Sequence, residues 1–157
     1  MRRQDKYPET KTFHFHNANP KGKYTGDCRI RAITTACECD YNAVVLALAL
    51  IQMETGYDQC AHQGISILMD KIGWKKMPQP RKPNGKKYTG REFCKELQKW
   101  LGDERYIGKE SKDGIVISTR IFANIGGHHE VAIVDGKVWD TWDSTEGCIG
   151  NYWVKEV

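Results

Sequence analysis

The chain has 157 residues, a net charge of +4 and 39% hydrophobic residues, as is usual for a soluble single-domain protein. A chain of this length buries roughly 70% of the surface that its unfolded form exposes, so its core requires neither disulfides nor a structural metal. The longest apolar run covers residues 43–51, well short of the ~20 residues that span a bilayer.

The N-terminal segment is charged and polar, and it lacks the apolar stretch of a secretion signal. We therefore expect a cytoplasmic protein with reduced thiols, no membrane association and no cofactor. The six cysteines include no CxxC pair, so no metal site is expected. Residues 1–16 are expected to form a loosely ordered arm, with one short strand near residues 12–16.

Three helices are predicted in the first half of the chain. The first begins at Cys28, with Asp27 as its N-cap, and is interrupted at residues 38–40. The second covers about residues 41–54, and its many apolar positions predict that it is covered on most sides. The third is predicted from apolar residues at helical spacing over 65–72, and it should end at Gly73. Trp74 should then fold back over it.

The stretch at residues 75–87 contains three prolines and six basic residues, which predicts a surface excursion outside the core. Thr89 and Glu92 then form a capping box for a fourth helix. Its apolar face includes Phe93 and Leu97, and Gly102 should end it.

The last third of the chain is rich in β-branched and aromatic residues. It predicts strands at 114–121, 129–134, 137–142 and 150–154, with Asp135 and Gly136 forming a tight hairpin turn. Helices followed by strands indicate an α+β fold, with helices on one side of an antiparallel sheet of about four strands. We expect one domain over residues 1–157.

Cys28 differs from the other cysteines because it occupies the first position of a predicted helix. Unpaired backbone N–H groups and the positive end of the helix dipole stabilise a thiolate there. The adjacent Asp27 carboxylate opposes this effect, so a basic partner for Cys28 is required.

His129 is the predicted partner, because of the register of the hairpin centred on Asp135 and Gly136. In that register Ala132 pairs with Trp139, and the alternation of side chains places His129 and Asp140 diagonally on one face. Asp140 can then orient His129 while His129 takes the proton of Cys28. Asp143 is the alternative third member.

The residues around Cys28 (TGDCRIRAI) and those that begin at Gly127 (GHHEVAIVDGKVWDTWDS) resemble the papain-like cysteine peptidase superfamily. They are most similar to its small bacterial and phage members. The resemblance runs from about Asn17 to Trp153. It implies a helical lobe packed on an antiparallel sheet, with Cys28, His129 and Asp140 in the cleft between them.

The pattern departs from this family at one position. Gly22 stands where papain-like enzymes usually carry a glutamine that helps to bind the oxyanion. The Cys28 backbone N–H can supply one donor. Asn19, Lys21 or Lys23 could supply a second, and we favour Asn19 because its side chain is also an amide.

We therefore expect a hydrolase, most simply a cysteine peptidase that cleaves peptide or isopeptide bonds of a peptide or protein substrate. The alternative is a weak or inactive papain-like protein that binds an acidic partner, either protein or nucleic acid. Its basis is the stretch at residues 71–99, where ten basic residues accompany two acidic ones.

Overall fold

A computed structural model describes residues 1–156 and has an α+β architecture. Its helices are α1 (Arg3–Lys6), α2 (Cys28–Cys37), α3 (Tyr41–Thr55), α4 (His62–Lys71) and α5 (Gly90–Gln98), with a short 3-10 helix at Glu104–Tyr106. Its strands are β1 (Phe13–Phe15), β2 (Trp74–Met77), β3 (Arg120–Ile125), β4 (His129–Val134), β5 (Lys137–Asp140) and β6 (Ile149–Lys155).

The sheet has six strands in the order β1-β5-β4-β3-β6-β2 and is mixed. This corrects the prediction of an antiparallel sheet of about four strands. The two additional strands come from the first half of the chain: β1 pairs with β5 in parallel, and β2 pairs with β6 antiparallel. Phe13 of β1 is fully buried, so this part of the predicted arm belongs to the core.

Helices pack on both faces of the sheet, and not on one face as predicted. On one face α2, α3 and α4 enclose a core with Phe122, Ala132 and Val134. On the other face α5 packs against Val131 and Ile133. Successive side chains of a strand point to opposite faces, so both faces of β4 are buried and its sequence is continuously apolar from Val131 to Val134.

The capping box predicts the start of α5 correctly. The Thr89 hydroxyl accepts a hydrogen bond from the backbone N–H of Glu92, and the Glu92 carboxylate accepts one from the backbone N–H of Thr89. The predicted starts of α2 and α3 are also confirmed.

Three predictions about individual elements are wrong. The strand placed at 114–121 lies at Arg120–Ile125, because the preceding segment pairs locally through Ile117 and Lys109. The segment that begins at residue 75 is not wholly a surface excursion, since Met77 is buried in β2. Helix α3 is not covered on most sides, because Leu46, Leu50 and Met53 are exposed.

Among residues 1–156 no single helix is long and apolar enough to cross a membrane. Helices α2 and α3 reach that length and composition only when taken together, and the chain bends by 119° between them.

Candidate active site

Cys28 is the first residue of α2 and is half-buried. The preceding residue, Asp27, was predicted to cap the helix, but its side chain makes no capping hydrogen bond to the helix backbone. Its carboxylate instead accepts hydrogen bonds from Arg31 Nε at 2.8 Å, the Tyr41 hydroxyl at 2.6 Å and Asn19 Nδ2 at 2.9 Å. Burial favours the neutral acid, but these hydrogen bonds outweigh burial and lower the pKa of Asp27.

The hairpin of β4 and β5 has the predicted register, with Ala132 paired to Trp139 and Val134 to Lys137. His129 and Asp140 are therefore close enough to meet diagonally across the two strands. Nε2 of His129 lies 2.5 Å from Oδ2 of Asp140. The contact predicted from the register is present, and it leaves Nδ1 of His129 available to another partner.

The Cys28 side chain also lies close enough to the imidazole to affect its pKa. Burial alone would lower the pKa of His129, but hydrogen bonds to Asp140 and Cys28, together with their charges, raise it to about 9. The Trp142 ring lies 4.9 Å from the His129 ring, centroid to centroid. The two rings are tilted by 38° and pack against each other.

Arg31 joins the helix to the hairpin. Its Nη1 lies 2.6 Å from Oδ1 of Asp140, while its Nε is bonded to Asp27. The backbone N–H of Thr141 also donates to Oδ1 of Asp140 at 2.7 Å. Sequence analysis missed Arg31, although its spacing of four residues from Asp27 on a predicted helix was a usable signal.

Glu130 is a second residue that sequence analysis missed. Its buried carboxylate lies 3.7 Å from the Cys28 sulfur and 3.0 Å from Nε of Arg29. Alternation along β4 assigns it to the face opposite His129, and the start of α2 approaches the end of the strand closely enough for Cys28 to reach both residues. The Cys28 thiol donates to the same carboxylate oxygen that forms the ion pair with Arg29.

The other predicted site residues have different surroundings. Asp143, the alternative to Asp140, accepts hydrogen bonds from the backbone N–H and the hydroxyl of Thr145 within the loop after β5. Asn19 donates to Asp27 through the amide nitrogen that was expected to serve the oxyanion. Asp140, and not Asp143, is therefore the carboxylate in contact with His129.

The remaining cysteines have unrelated surroundings. Burial raises the pKa of both the Cys37 and the Cys94 thiol to about 12, which keeps them protonated. Cys39, Cys60 and Cys148 are exposed, and all six cysteines are free.

Cys28 and His129 share one open cavity of about 310 Å³ with Arg3, Tyr24, Thr141 and Trp142. The Cys28 thiol and the His129 imidazole therefore both border the same open space. Within residues 1–156, no group of three or more His, Cys, Asp or Glu side chains could hold a metal ion.

Comparison with known proteins found no matching family model, no matching curated protein and no matching solved structure.

Proposed function

We propose that the chain is a papain-like thiol hydrolase, and most simply a cytoplasmic cysteine peptidase. The observation that carries this proposal is the position of His129, whose Nε2 lies 2.5 Å from Asp140 and whose ring lines the same cavity as the Cys28 thiol. Nucleophile, base and orienting carboxylate are the three groups that acyl transfer through a thiol requires.

In the proposed mechanism Cys28 and His129 react as a thiolate and an imidazolium. The sulfur attacks the carbonyl carbon of the substrate, and the carbonyl oxygen becomes an oxyanion. The backbone N–H of Cys28, which has no acceptor within α2 because it begins the helix, can donate to that oxyanion. His129 then gives its proton to the leaving amine, and a thioester forms.

Hydrolysis of the thioester completes the cycle. His129, now neutral, takes a proton from a water molecule whose oxygen attacks the thioester carbonyl. The acid product leaves, and the proton on His129 restores the imidazolium beside the Cys28 thiolate. Asp140 stabilises the imidazolium in both half-reactions, because its carboxylate stays within hydrogen-bond distance of Nε2.

Cleavage of a degenerate peptide library, analysed by mass spectrometry under reducing conditions, tests the proposal. We expect cleavage by the wild-type protein and none by the variants Cys28→Ala and His129→Gln. The control is Cys60→Ala, which removes an exposed thiol that does not line the cavity and should leave cleavage unchanged. Equal cleavage by wild type and Cys28→Ala would contradict the assignment.

A second candidate function is a catalytically weak protein of the same fold that binds an acidic partner. Two observations favour it: the Glu130 carboxylate lies 3.7 Å from the Cys28 sulfur, and the Asn19 amide is bonded to Asp27. Four of the ten basic residues at 71–99 form ion pairs with carboxylates, and these are Lys71, Lys82, Arg91 and Lys99. The other six basic residues of this stretch form no ion pair within residues 1–156, so their charges are available to a partner.

The rate of alkylation by iodoacetamide distinguishes the two candidates. A thiolate–imidazolium pair at Cys28 predicts faster alkylation there than at exposed Cys60. Equal rates at the two thiols, together with binding of DNA, RNA or acidic protein that weakens as salt is added, would favour the binding protein.

A further inference from the structure

The cavity that contains Cys28 and His129 also contains Arg3, whose position is fixed by several contacts. Its Nε donates to the backbone carbonyl of Thr141 at 2.8 Å. The guanidinium carbon lies 4.9 Å from the centre of the Tyr24 ring and 5.8 Å from that of Tyr7. A guanidinium held over two aromatic rings, with one N–H already bonded, has lost much of its freedom before any ligand arrives.

The terminal nitrogens of Arg3 remain available. Over the described residues, 1–156, Thr141 is its one hydrogen-bond partner and no carboxylate forms an ion pair with it. This contrasts with Arg31 in the same cavity wall, which is bonded to both Asp27 and Asp140. Arg3 therefore has an uncompensated positive charge.

No Asp or Glu is among the described residues that line this cavity. The two terminal nitrogens of a guanidinium match the two oxygens of a carboxylate, and such bidentate pairs are short and strong. A negatively charged group that enters the cavity would thus meet one free cation and no repelling carboxylate on its wall.

We propose that Arg3 is a specificity-determining residue that binds a carboxylate of the substrate close to the bond that Cys28 attacks. The substrate class is then a peptide with an acidic side chain, or a free C-terminal carboxylate, next to the scissile bond. This inference rests on the proposed hydrolase function and adds the chemistry of its substrate.

Two matched peptide libraries test the inference. One contains Asp and Glu, and in the other these are replaced by Asn and Gln; each is prepared with free and with amidated C-termini. For the wild-type protein we expect cleavage sites with an adjacent carboxylate to be favoured about tenfold or more, the scale of a charge-assisted pair. Comparing free with amidated C-termini shows whether Arg3 binds an acidic side chain or the C-terminal carboxylate.

Substitutions of Arg3 test whether this residue causes the preference for sites with an adjacent carboxylate. Arg3→Gln should lose the preference and cleave acidic and neutral sites equally well, while Arg3→Lys should retain part of the preference because it keeps the charge without the two-pronged geometry. The control is Arg2→Gln, at an exposed neighbour that pairs with Asp5 and does not line the cavity. This control should retain the full preference.

The outcomes separate this inference from the function on which it rests. If the wild-type protein cleaved without a preference for acidic sites, or if the preference persisted in Arg3→Gln, the proposed role of Arg3 would be wrong. The proposed hydrolase function would not be affected. If the wild-type protein cleaved neither library, the proposed hydrolase function would be overturned. In that case, binding of a fluorescent Glu-containing hexapeptide and its Gln counterpart to Cys28→Ala, with and without Arg3→Gln, still decides whether Arg3 binds carboxylates.

Discussion

Asp140 accepts hydrogen bonds from two side chains that carry or can carry positive charge, His129 and Arg31, and from the backbone of Thr141. It is almost fully buried, so its charge acts on both partners with little screening by water. Burial of His129 favours the neutral imidazole, and the hydrogen bond to this carboxylate is the largest of the effects that raise its pKa.

Replacing Asp140 by Asn should lower the pKa of His129. In the wild-type protein the imidazolium persists up to a pKa of about 9, and burial would pull that value down once the carboxylate is gone. We expect the pKa of His129 to fall by more than one unit in Asp140→Asn, as measured by NMR titration of the ring nitrogens. The high-pH limb of the hydrolysis rate should move down by the same amount.

The control for this prediction is Asp143→Asn, because the Asp143 side chain accepts hydrogen bonds from Thr145 and not from His129. An unchanged titration of His129 in Asp140→Asn would contradict the prediction.

The raised pKa of His129 also affects the stability of the fold. Protonated His129 stabilises the fold fully below the ordinary histidine pKa of about 6.5, and this contribution is lost as the pH rises through about 9.

At the scale of elements, the turn between β4 and β5 determines how His129 and Asp140 meet. Asp135 and Gly136 both have positive φ, at 50° and 76°, as expected for the two central residues of a type I′ turn. The Gly136 carbonyl accepts a hydrogen bond from Gln98, whose side chain also donates to the carbonyl of Lys11. The turn is thereby joined to the end of α5 and to the strand-forming N-terminal segment.

Gly136→Ala should destabilise the protein more than Gly114→Ala does. Both glycines have φ near 80°, so both substitutions carry the cost of a left-handed alanine, about 1–2 kcal/mol. A Cβ on Gly136 would also lie 2.6 Å from Cγ of Gln98, whereas one on Gly114 meets no atom within 4 Å. Urea unfolding of the two variants measures the difference, and equal free energies of unfolding would contradict the prediction.

The elements that could be predicted are those with local signals. The capping box at Thr89, the turn at Gly136 and the interruption after Cys37 each act within a few residues, and the structure has each of them. The contact between His129 and Asp140 follows from that turn by counting residues. The pairing of Arg31 with Asp27 could have been found in the same way, but its contact with Asp140 and that of Glu130 with Cys28 could not, because both depend on where α2 meets the sheet.

At the scale of the whole molecule, the sheet includes a strand from the N-terminal segment. β1 pairs in parallel with β5, the strand that ends in Asp140, so residues 13–15 support one side of the candidate site. Phe13 is fully buried in the core beneath α5. Phe15, in the same strand, is only half-buried.

Phe13→Ala should cost about 3–5 kcal/mol of the free energy of unfolding, the usual loss for a buried phenylalanine. Phe15→Ala, the same substitution in the same strand, should cost clearly less because its side chain is partly exposed. Thermal and urea unfolding of both variants measures the two losses. If Phe13→Ala were as stable as the wild type, residues 13–15 would not belong to the core.

The short strand predicted near residues 12–16 is present as β1, at Phe13–Phe15. Its place at the edge of the sheet, and the existence of the four-residue strand β2, were beyond sequence analysis for a physical reason. Their partners lie far away in the chain, since Trp74 pairs with Lys155 and Phe13 with Val138. Short strands of this kind form because the rest of the sheet offers them a partner, and single-residue preferences carry no record of it.

The parallel pairing of β1 with β5 has a consequence for the order of events during synthesis. The ribosome releases Phe13 before its partner Val138, by several seconds or more at roughly 5–20 residues per second. Throughout that interval the aromatic side chains of β1 have no sheet to join, and contacts between such distant segments form slowly. A nascent chain would therefore expose this segment to chaperones until β5 is complete.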